Sequence, residues 1–559
     1  MTSSKTDLHI ALAQLNPHLG DVNANCDKLL QMRARAAEQN CQILLTPEMY
    51  LSGYPADDLV LRADFMDRVD AGIARLAAAT ADGGPAIICG APVRDAGCLF
   101  NAVFILDDGA VKAVRHKVNL PNYGVFDDKR NFSAGSLQGP VSVRGWRVGL
   151  AICEDIWSAD VCEMLSESGA EIILSLNASP FEAGKTDQRM SHAVARLTES
   201  GLPIVYVNMV GGQDELVFDG GSFGLNLGGK LACQMPQFSE GLSVVTLRGG
   251  EASAILTGQV SSPDDENEAM WRALVLALRD YCSKNGFPGV VLGLSGGIDS
   301  AIVTALAVDA LGAEAVRVVM MPSEYTAGIS VEDSQSLADN LGLTLENIAI
   351  RPAMDAFDDM LATSFAGQQS GIAEENIQSR LRGMLLMALS NKFGNLVLAT
   401  GNKSEYAAGY STLYGDMCGG FAPIKDVWKT KIFELANWRN QNLPKGALGP
   451  AGCVIPERII TRPPSAELRP DQEDTDSLPP YEILDPILIA LTEEMADIET
   501  IVARGYDAQI VAQASTLLFR AEYKRFQAAP GPKVTARAFG RDRRLPLTSG
   551  FRPAQSETS

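Results

Sequence analysis

The apolar run Val290-Val291-Leu292-Gly293-Leu294 leads directly into Ser295-Gly296-Gly297-Ile298-Asp299-Ser300 and then into a helix-forming stretch over 301–310. A strand that turns through two glycines into a helix is the unit of a parallel sheet, because a parallel neighbour can be reached only by a long crossover. The same pattern recurs around it, with strands expected at 289–294, 316–320, 344–348 and 396–400 separated by helix-length segments. That spacing predicts a doubly wound sheet whose ligands collect at the carboxyl ends of its strands.

The chain has 559 residues, long enough for more than one domain. Its first part alternates short apolar strands (8–14, 42–45, 86–90, 102–106, 147–152, 171–176, 204–208 and 243–247) with amphipathic helices such as 23–39. Over 248–266 the composition shifts to Gly, Ser, Pro and acidic residues, and an amphipathic helix follows over 267–285. The expected division is a first α/β domain at 1–250, a linker at 251–268 and a second α/β domain at 269–559. The Pro-rich, acidic stretch 466–482 reads as a mobile loop.

Forty-seven Lys and Arg oppose 68 Asp and Glu, a net charge of −21 that disfavours general nucleic-acid binding. Ten cysteines are too sparse for a disulfide framework, and none pair as C-x-x-C, so neither a zinc ribbon nor a thioredoxin-type motif is indicated. The start of the chain has no export signal and no apolar stretch reaches membrane-spanning length, so a cytoplasmic protein is expected. The only histidines are His9, His18, His116 and His192, so the second domain must work without histidine chemistry.

In the 295–300 turn, two glycines admit an anion close to the backbone, the helix start supplies N–H donors, and the serines add hydroxyls. No P-loop lysine follows. Asp299, placed beside such an anion, makes sense as a ligand for Mg²⁺; the competing reading is a Gly-Gly turn with an ordinary cap. The string resembles the loop of the ATP pyrophosphatase superfamily, which implies ATP as co-substrate, cleaved to AMP and pyrophosphate as a carbonyl or carboxylate is adenylated. The fold so implied is adenine nucleotide alpha hydrolase-like. Thr400-Gly401-Asn402-Lys403-Ser404-Glu405 ends another strand, and Glu405 joins Asp299 as a candidate metal carboxylate, unless it is only a solvated helix-start acid.

In the first domain Cys153 follows the strand 147–152, Glu48 ends another apolar strand, and Lys117 ends a third. A thiol at a strand-to-helix junction can have its pKa lowered and act as nucleophile, with a carboxylate as base and an ammonium for the oxyanion. Each of these residues alone is ordinarily structural; three at the same strand ends point to a site. They resemble the Glu-Lys-Cys triad of the nitrilase superfamily, an αββα sandwich, over about the first 245 residues. The resemblance makes Glu48 the base, Lys117 the oxyanion partner and Cys153 the nucleophile, with Tyr123, Ser179 and Lys185 at the glutamine. An N-terminal-nucleophile amidotransferase does not fit Met1-Thr2, nor does a Gly-x-Cys-x-Gly elbow fit Ala151-Ile152-Cys153-Glu154-Asp155.

Together the halves resemble the family of glutamine-dependent NAD⁺ synthetases, C–N-forming ligases that release ammonia from glutamine and amidate adenylated deamido-NAD⁺. That resemblance assigns Gly293, Leu294, Ser295, Gly296, Gly297, Ile298, Asp299, Ser300 and Thr400 to ATP, with Lys429 and Ser465 as weaker ATP contacts. It assigns Asn376, Arg382, Glu405 and Lys524 to deamido-NAD⁺. Because Arg380 and Arg382 stand two apart, only one of them is expected to face the dinucleotide. The resemblance further implies an internal ammonia passage and a homo-oligomer. The segment 520–544 carries eight Lys or Arg and two acids, 8 − 2 = +6, and reads either as a solvated basic tail or as a cover for the dinucleotide phosphates or a neighbouring subunit. Two other functions remain: an amidase feeding a different adenylated carboxylate, and a nucleotide-sensing scaffold without turnover.

Overall fold

In the strand Leu8–Gln14, Leu8, Ile10 and Leu12 enter one apolar core while Ala11 and Ala13 enter another. This is the two-residue alternation of a strand buried on both faces. Val148, Leu150 and Ile152 split from Ala151 in the same way, and Ile172, Leu174 and Leu176 split from Ile173. The computed structural model describes residues 6–249, 254–469 and 472–551. Two units emerge, Met1–Asp265 and Glu266–Ser559.

In the first unit one sheet runs in the order Ile255–Thr257, Gly241–Arg248, Leu8–Gln14, Ile43–Leu45, Ala86–Asp95, Cys98–Asp107 and Ala110–His116. The other runs Lys230–Gln234, Phe223–Asn226, Ile204–Asn208, Ile172–Asn177, Trp146–Ile152 and Val141–Val143. Their inner faces share one core. Helices Val22–Glu38 and Ala63–Ala79 cover the first sheet, and Asp160–Glu167 and Lys185–Ser200 the second. The result is an αββα sandwich.

Sequence patterning did not reveal the hairpin Val210–Gln213 with Leu216–Asp219, nor the strands Phe223–Asn226 and Lys230–Gln234. All four are only four or five residues long and two of them contain glycine, so no alternation develops. Part of the segment expected as a linker, Ile255–Thr257, instead pairs with Gly241–Arg248 as an edge strand. Residues 250–253 lie outside the described residues.

The second unit holds four parallel strands in the order Leu345–Asn347, Val316–Met320, Val290–Gly293, Leu396–Val397. The connections leave Val290–Gly293 toward opposite edges, which makes its carboxyl end a topological switch point. The expected strand 396–400 is regular only over Leu396–Val397. Helix Ile298–Leu311, buried along nearly its whole length, starts at that point.

Two expectations change with the packing. Arg525, Lys533 and Arg543 are buried rather than part of a solvated tail. Arg525 donates to the carbonyls of Tyr406 and Ala407, Arg543 pairs with Glu522 and Lys533 with Asp542. In the stretch read as a mobile loop, Glu467 accepts from Ser330 Oγ at 2.6 Å and buried Asp474 accepts from Tyr481 at 2.9 Å. Residues 470 and 471 of that stretch lie outside the described residues.

Candidate active sites, one in each unit

Cys153 follows the strand Trp146–Ile152 and adopts a left-handed backbone, φ 45°. A non-glycine residue takes this conformation only where its surroundings hold it there. Glu48 follows the strand Ile43–Leu45 and Lys117 follows Ala110–His116, so all three lie at strand carboxyl ends. A β-carbon at Gly90 would come within 2.4 Å of Met49 N and 2.7 Å of Pro47 O, so only glycine lets its strand pass this close to Glu48.

Glu48 and Lys117 are both 1% exposed. Lys117 Nζ donates to Glu48 Oε1 at 2.8 Å and to Asp128 Oδ2 at 2.9 Å. Asn101 Nδ2 also donates to Glu48 Oε1, at 2.7 Å, and Ala178 N donates to Glu48 Oε2 at 3.0 Å. Tyr54 Oη donates to the free oxygen of Asp128. Burial alone would depress the Lys117 pKa, but Glu48 and Asp128 outweigh it and hold the ammonium above its usual range. The Cys153 thiol runs opposite to the sequence expectation: burial, then the Glu48 charge, push it well above the usual range, and Lys117 only partly offsets them. The junction offers a single short turn, Cys153–Ile156, in place of a long helix, so desolvation dominates. The resting thiol is protonated and needs a base at hand.

Of the expected glutamine residues, Tyr123 is half exposed and donates to both carboxylate oxygens of Glu154, at 3.2 and 3.1 Å. Phe126 stands edge-on to Tyr123, and Lys185 Nζ lies 5.8 Å from the centre of its ring. Ser179 is buried; its hydroxyl accepts from Arg189 at 3.0 Å and its N–H donates to Asn208. Arg189 is in turn paired with Asp219, at 2.7 Å. Sequence reasoning missed Asn101, Asp128, Glu154 and Arg189. Only Glu154, next to the cysteine, carried a positional signal.

At the second unit's switch point lies a cavity of about 280 Å³, lined by the whole of 293–300 together with Thr400, Glu405, Lys429 and Ser465. Gly296 has φ 81°, and a β-carbon there would lie 2.6 Å from Ser330 O. Ser300 Oγ accepts from Ser295 N and donates to Gly297 O, closing the turn at the helix start. Buried Lys429 bridges Asp299 and Glu405, its Nζ lying 3.5 Å from Glu405 Oε1 and bonded to Asp299 Oδ2. Asn402, not anticipated from sequence, donates to Asp299 Oδ1 at 2.9 Å. Burial, then Asp299, raise the Glu405 carboxyl to about 8, with Lys429 pulling it back. Among the described residues no three His, Cys, Asp or Glu gather as metal ligands, so a cation here would take these two carboxylates plus substrate oxygens.

Arg382 lines the same cavity and donates to Met321 O at 3.0 Å, whereas exposed Arg380 reaches Leu413 O instead. The helix Ile372–Phe393 therefore separates the two arginines. Asn376 and Lys524 lie outside the cavity lining: Asn376 accepts from Thr412 Oγ1 at 2.8 Å, and Lys524 caps the carbonyls of Gly409 and Ser411. Ser465 Oγ donates to Gln472 O at 2.5 Å.

The carbon-nitrogen hydrolase family matches residues 9–255 and the NAD synthase family residues 270–528. A glutamine-dependent NAD(+) synthetase of Rhodobacter capsulatus is 46% identical over 544 residues, covering 97% of this chain and 98% of the relative. One of Xanthomonas campestris pv. campestris is 48% identical over 548 residues, with the same coverage of 97% and 98%. Among solved structures, glutamine-dependent NAD⁺ synthetase from Acinetobacter baumannii in complex with adenosine diphosphate shares 42% identity, with a TM-score of 0.78 over 98% of this chain and 100% of that one.

Proposed function

The chain belongs to the glutamine-dependent NAD(+) synthetases, and on that premise we propose that Glu48, Lys117 and Cys153 hydrolyse glutamine while the cavity around 293–300 adenylates deamido-NAD⁺. The activity is that of a ligase that draws amide nitrogen from glutamine and uses ATP as co-substrate. The observation that carries the residue assignment is the buried Lys117–Glu48 contact at 2.8 Å beside the left-handed turn at Cys153.

Glu48 takes the proton of the Cys153 thiol as sulfur attacks the glutamine carboxamide, and the Lys117 ammonium faces the oxygen that becomes anionic. Collapse returns that proton to the departing nitrogen and leaves a thioester. Glu48 then deprotonates water, which attacks the thioester, releases glutamate and restores the thiol. Tyr123, Ser179 and Lys185 are assigned to glutamine. The Tyr123–Glu154 pair marks the exposed rim, where a carboxylate suits the α-ammonium group of the substrate.

In the second unit the 293–300 turn, Thr400, Lys429 and Ser465 are assigned to ATP, and Arg382 with Glu405 to deamido-NAD⁺. Asn376 and Lys524, bonded outside the cavity lining, support the loop 409–416 that borders it. The donor set of Asp299 and Glu405 fits Mg²⁺, which would supply charge neutralisation for the phosphates. Lys429, already between these carboxylates, holds a cationic group where polyphosphate charge must be met.

All ten cysteines are free thiols, which suits the cytoplasm, and no described helix is long and apolar enough to cross a membrane. Exposed Met360, Ile372, Met384 and Phe393, on or beside helices Arg351–Leu361 and Ile372–Phe393, support self-association into a homo-oligomer.

The test uses the full chain with deamido-NAD⁺, ATP and Mg²⁺. Cys153→Ala is expected to abolish synthesis from glutamine while sparing synthesis from ammonium, and Asp299→Ala to stop both. Glutamine-driven turnover by Cys153→Ala would remove the triad assignment.

A further inference from the structure

Two residues beyond the proposed nucleophile, Asp155 is 2% exposed, and among the described residues no side-chain cation is bonded to its carboxylate. It accepts three backbone N–H groups. Oδ2 receives Ile152 N at 2.9 Å, the peptide just before Cys153. Oδ1 receives Val118 N at 3.1 Å and Asn119 N at 2.8 Å, the two peptides just after Lys117. One buried carboxylate thus fastens together the chain ends that carry the thiol and the ammonium.

These ends belong to different sheets. Lys117 follows an edge strand of the seven-stranded sheet, while Cys153 follows a strand of the six-stranded one, and no backbone ladder joins them. A second tie lies nearer the surface, where Asn119 Nδ2 donates to Ser158 Oγ at 2.8 Å and to Asp160 Oδ1 at 3.1 Å. Glu48 reaches the nucleophile's sheet separately, through the N–H of Ala178. Each member of the triad is therefore referenced to the others by a carboxylate-to-amide bond across the sandwich.

We propose that Asp155 is a positioning residue of the amide-hydrolysing site, setting the separation and aim of Lys117 relative to Cys153 without touching substrate. The inference rests on the triad reading above. Its chemistry follows from the bonds. Acceptance of three amides by one carboxyl group holds the two turns at a fixed spacing and helps to keep Cys153 in its left-handed conformation, φ 45°. Burial lifts the Asp155 carboxyl to about 7, against the pull of those amides, and the three amide bonds are what offset its desolvation.

The readout is steady-state glutamate release, with ammonium-driven synthesis and the rate of Cys153 alkylation by iodoacetamide measured on the same full-length preparations. Asp155→Asn keeps a carbonyl for two of the amides but opposes an NH₂ group to the third. Displacement of reacting groups by about 1 Å costs on the order of a hundredfold in rate. Asp155→Asn is accordingly expected to lower kcat for glutamine by about ten- to a hundredfold, leaving KM within about twofold and ammonium-driven synthesis unchanged. Asp155→Ala should lose more, and its alkylation rate should change, since the thiol no longer faces Lys117 and Glu48 at the same geometry. If Asp155→Ala fails to fold, Asp155→Asn decides alone. Glutamine kcat equal to that of the unaltered chain in Asp155→Asn, or a rise in KM alone, would overturn the proposal. Failure of the triad itself shows differently, as glutamine hydrolysis surviving in Cys153→Ala.

Discussion

Lys117 Nζ donates to Asp128 Oδ2 at 2.9 Å, with the two side chains only 1% and 5% exposed, while its other bond goes to Glu48. The ammonium therefore has a carboxylate partner that is not asked to move a proton. In the proposed reaction, where Glu48 takes the thiol proton, Asp128 would continue to hold Lys117 charged and aimed.

Asp128→Asn should then leave binding of glutamine largely intact and lower kcat, by about ten- to a hundredfold, because Lys117, the proposed oxyanion partner, loses its second counter-charge. Steady-state glutamate release checks this, with ammonium-driven synthesis as the internal control. A change confined to KM would show that Asp128 serves substrate binding instead.

Gly296→Ala is expected to break the 295–300 turn, to which ATP is proposed to bind. Its φ of 81° is unfavourable for alanine, and the new methyl would meet Ser330 O at 2.6 Å. Calorimetric titration with ATP should show affinity reduced at least about tenfold, roughly 1.4 kcal/mol or more, while glutamine hydrolysis persists in the other unit. Gly297, whose added methyl would meet only Ser295 Oγ at 3.4 Å, should tolerate alanine with less loss of folding stability.

Glu405 sets a pH dependence of stability in the second unit. Its carboxyl is raised from 4.5 to about 8, so between those values the folded state holds a proton that the unfolded state releases. Stability from this group is present below pH 4.5 and is lost as pH rises toward 8, with a slope of up to about 1.4 kcal/mol per pH unit. Glu405→Gln should flatten that decline in chelator-treated protein. Urea midpoints that fall equally steeply in both proteins would refute it.

Arg439 and Asp309 are both fully buried and joined at 2.7 and 3.0 Å, and Trp271 donates to the same carboxylate at 2.9 Å. Asp309→Ala leaves a guanidinium uncompensated in the interior and should cost about 3–5 kcal/mol. Removing both charges with Arg439→Met and Asp309→Leu should cost less than Asp309→Ala alone, a comparison that denaturant unfolding makes directly.

Many strand positions were legible because both faces of these strands are buried, so 172–176 is apolar but for Ser175 and 204–207 is apolar throughout. Glu48, Cys153 and the 295–300 turn stood out because each ends such a run with a residue that packing alone would not place there, and Lys117 because it ends the strand Ala110–His116. Asn101, Asp128 and Arg189 carried no comparable signal. Asn101 lies mid-strand within Cys98–Asp107 and Asp128 in a loop turn, and only the pairing of distant segments brings them to Glu48 and Lys117.

What the sequence determined by itself was local: which segments extend, which coil, and which chemical groups stand where a strand gives way to a turn. Those properties depend on neighbours a few residues away, through alternation, glycine conformation and capping. The state of the groups was decided by tertiary structure. Cys153 lies where a helix start would ease ionisation, yet enclosure by the two sheets and the charge of Glu48 keep its thiol protonated. Lys429 and Lys524 are alike in sequence, but one is drawn between Asp299 and Glu405 and the other onto the carbonyls of Gly409 and Ser411. Desolvation and Coulomb energy depend on what surrounds a charge in space, and residues far apart in the chain supply those surroundings.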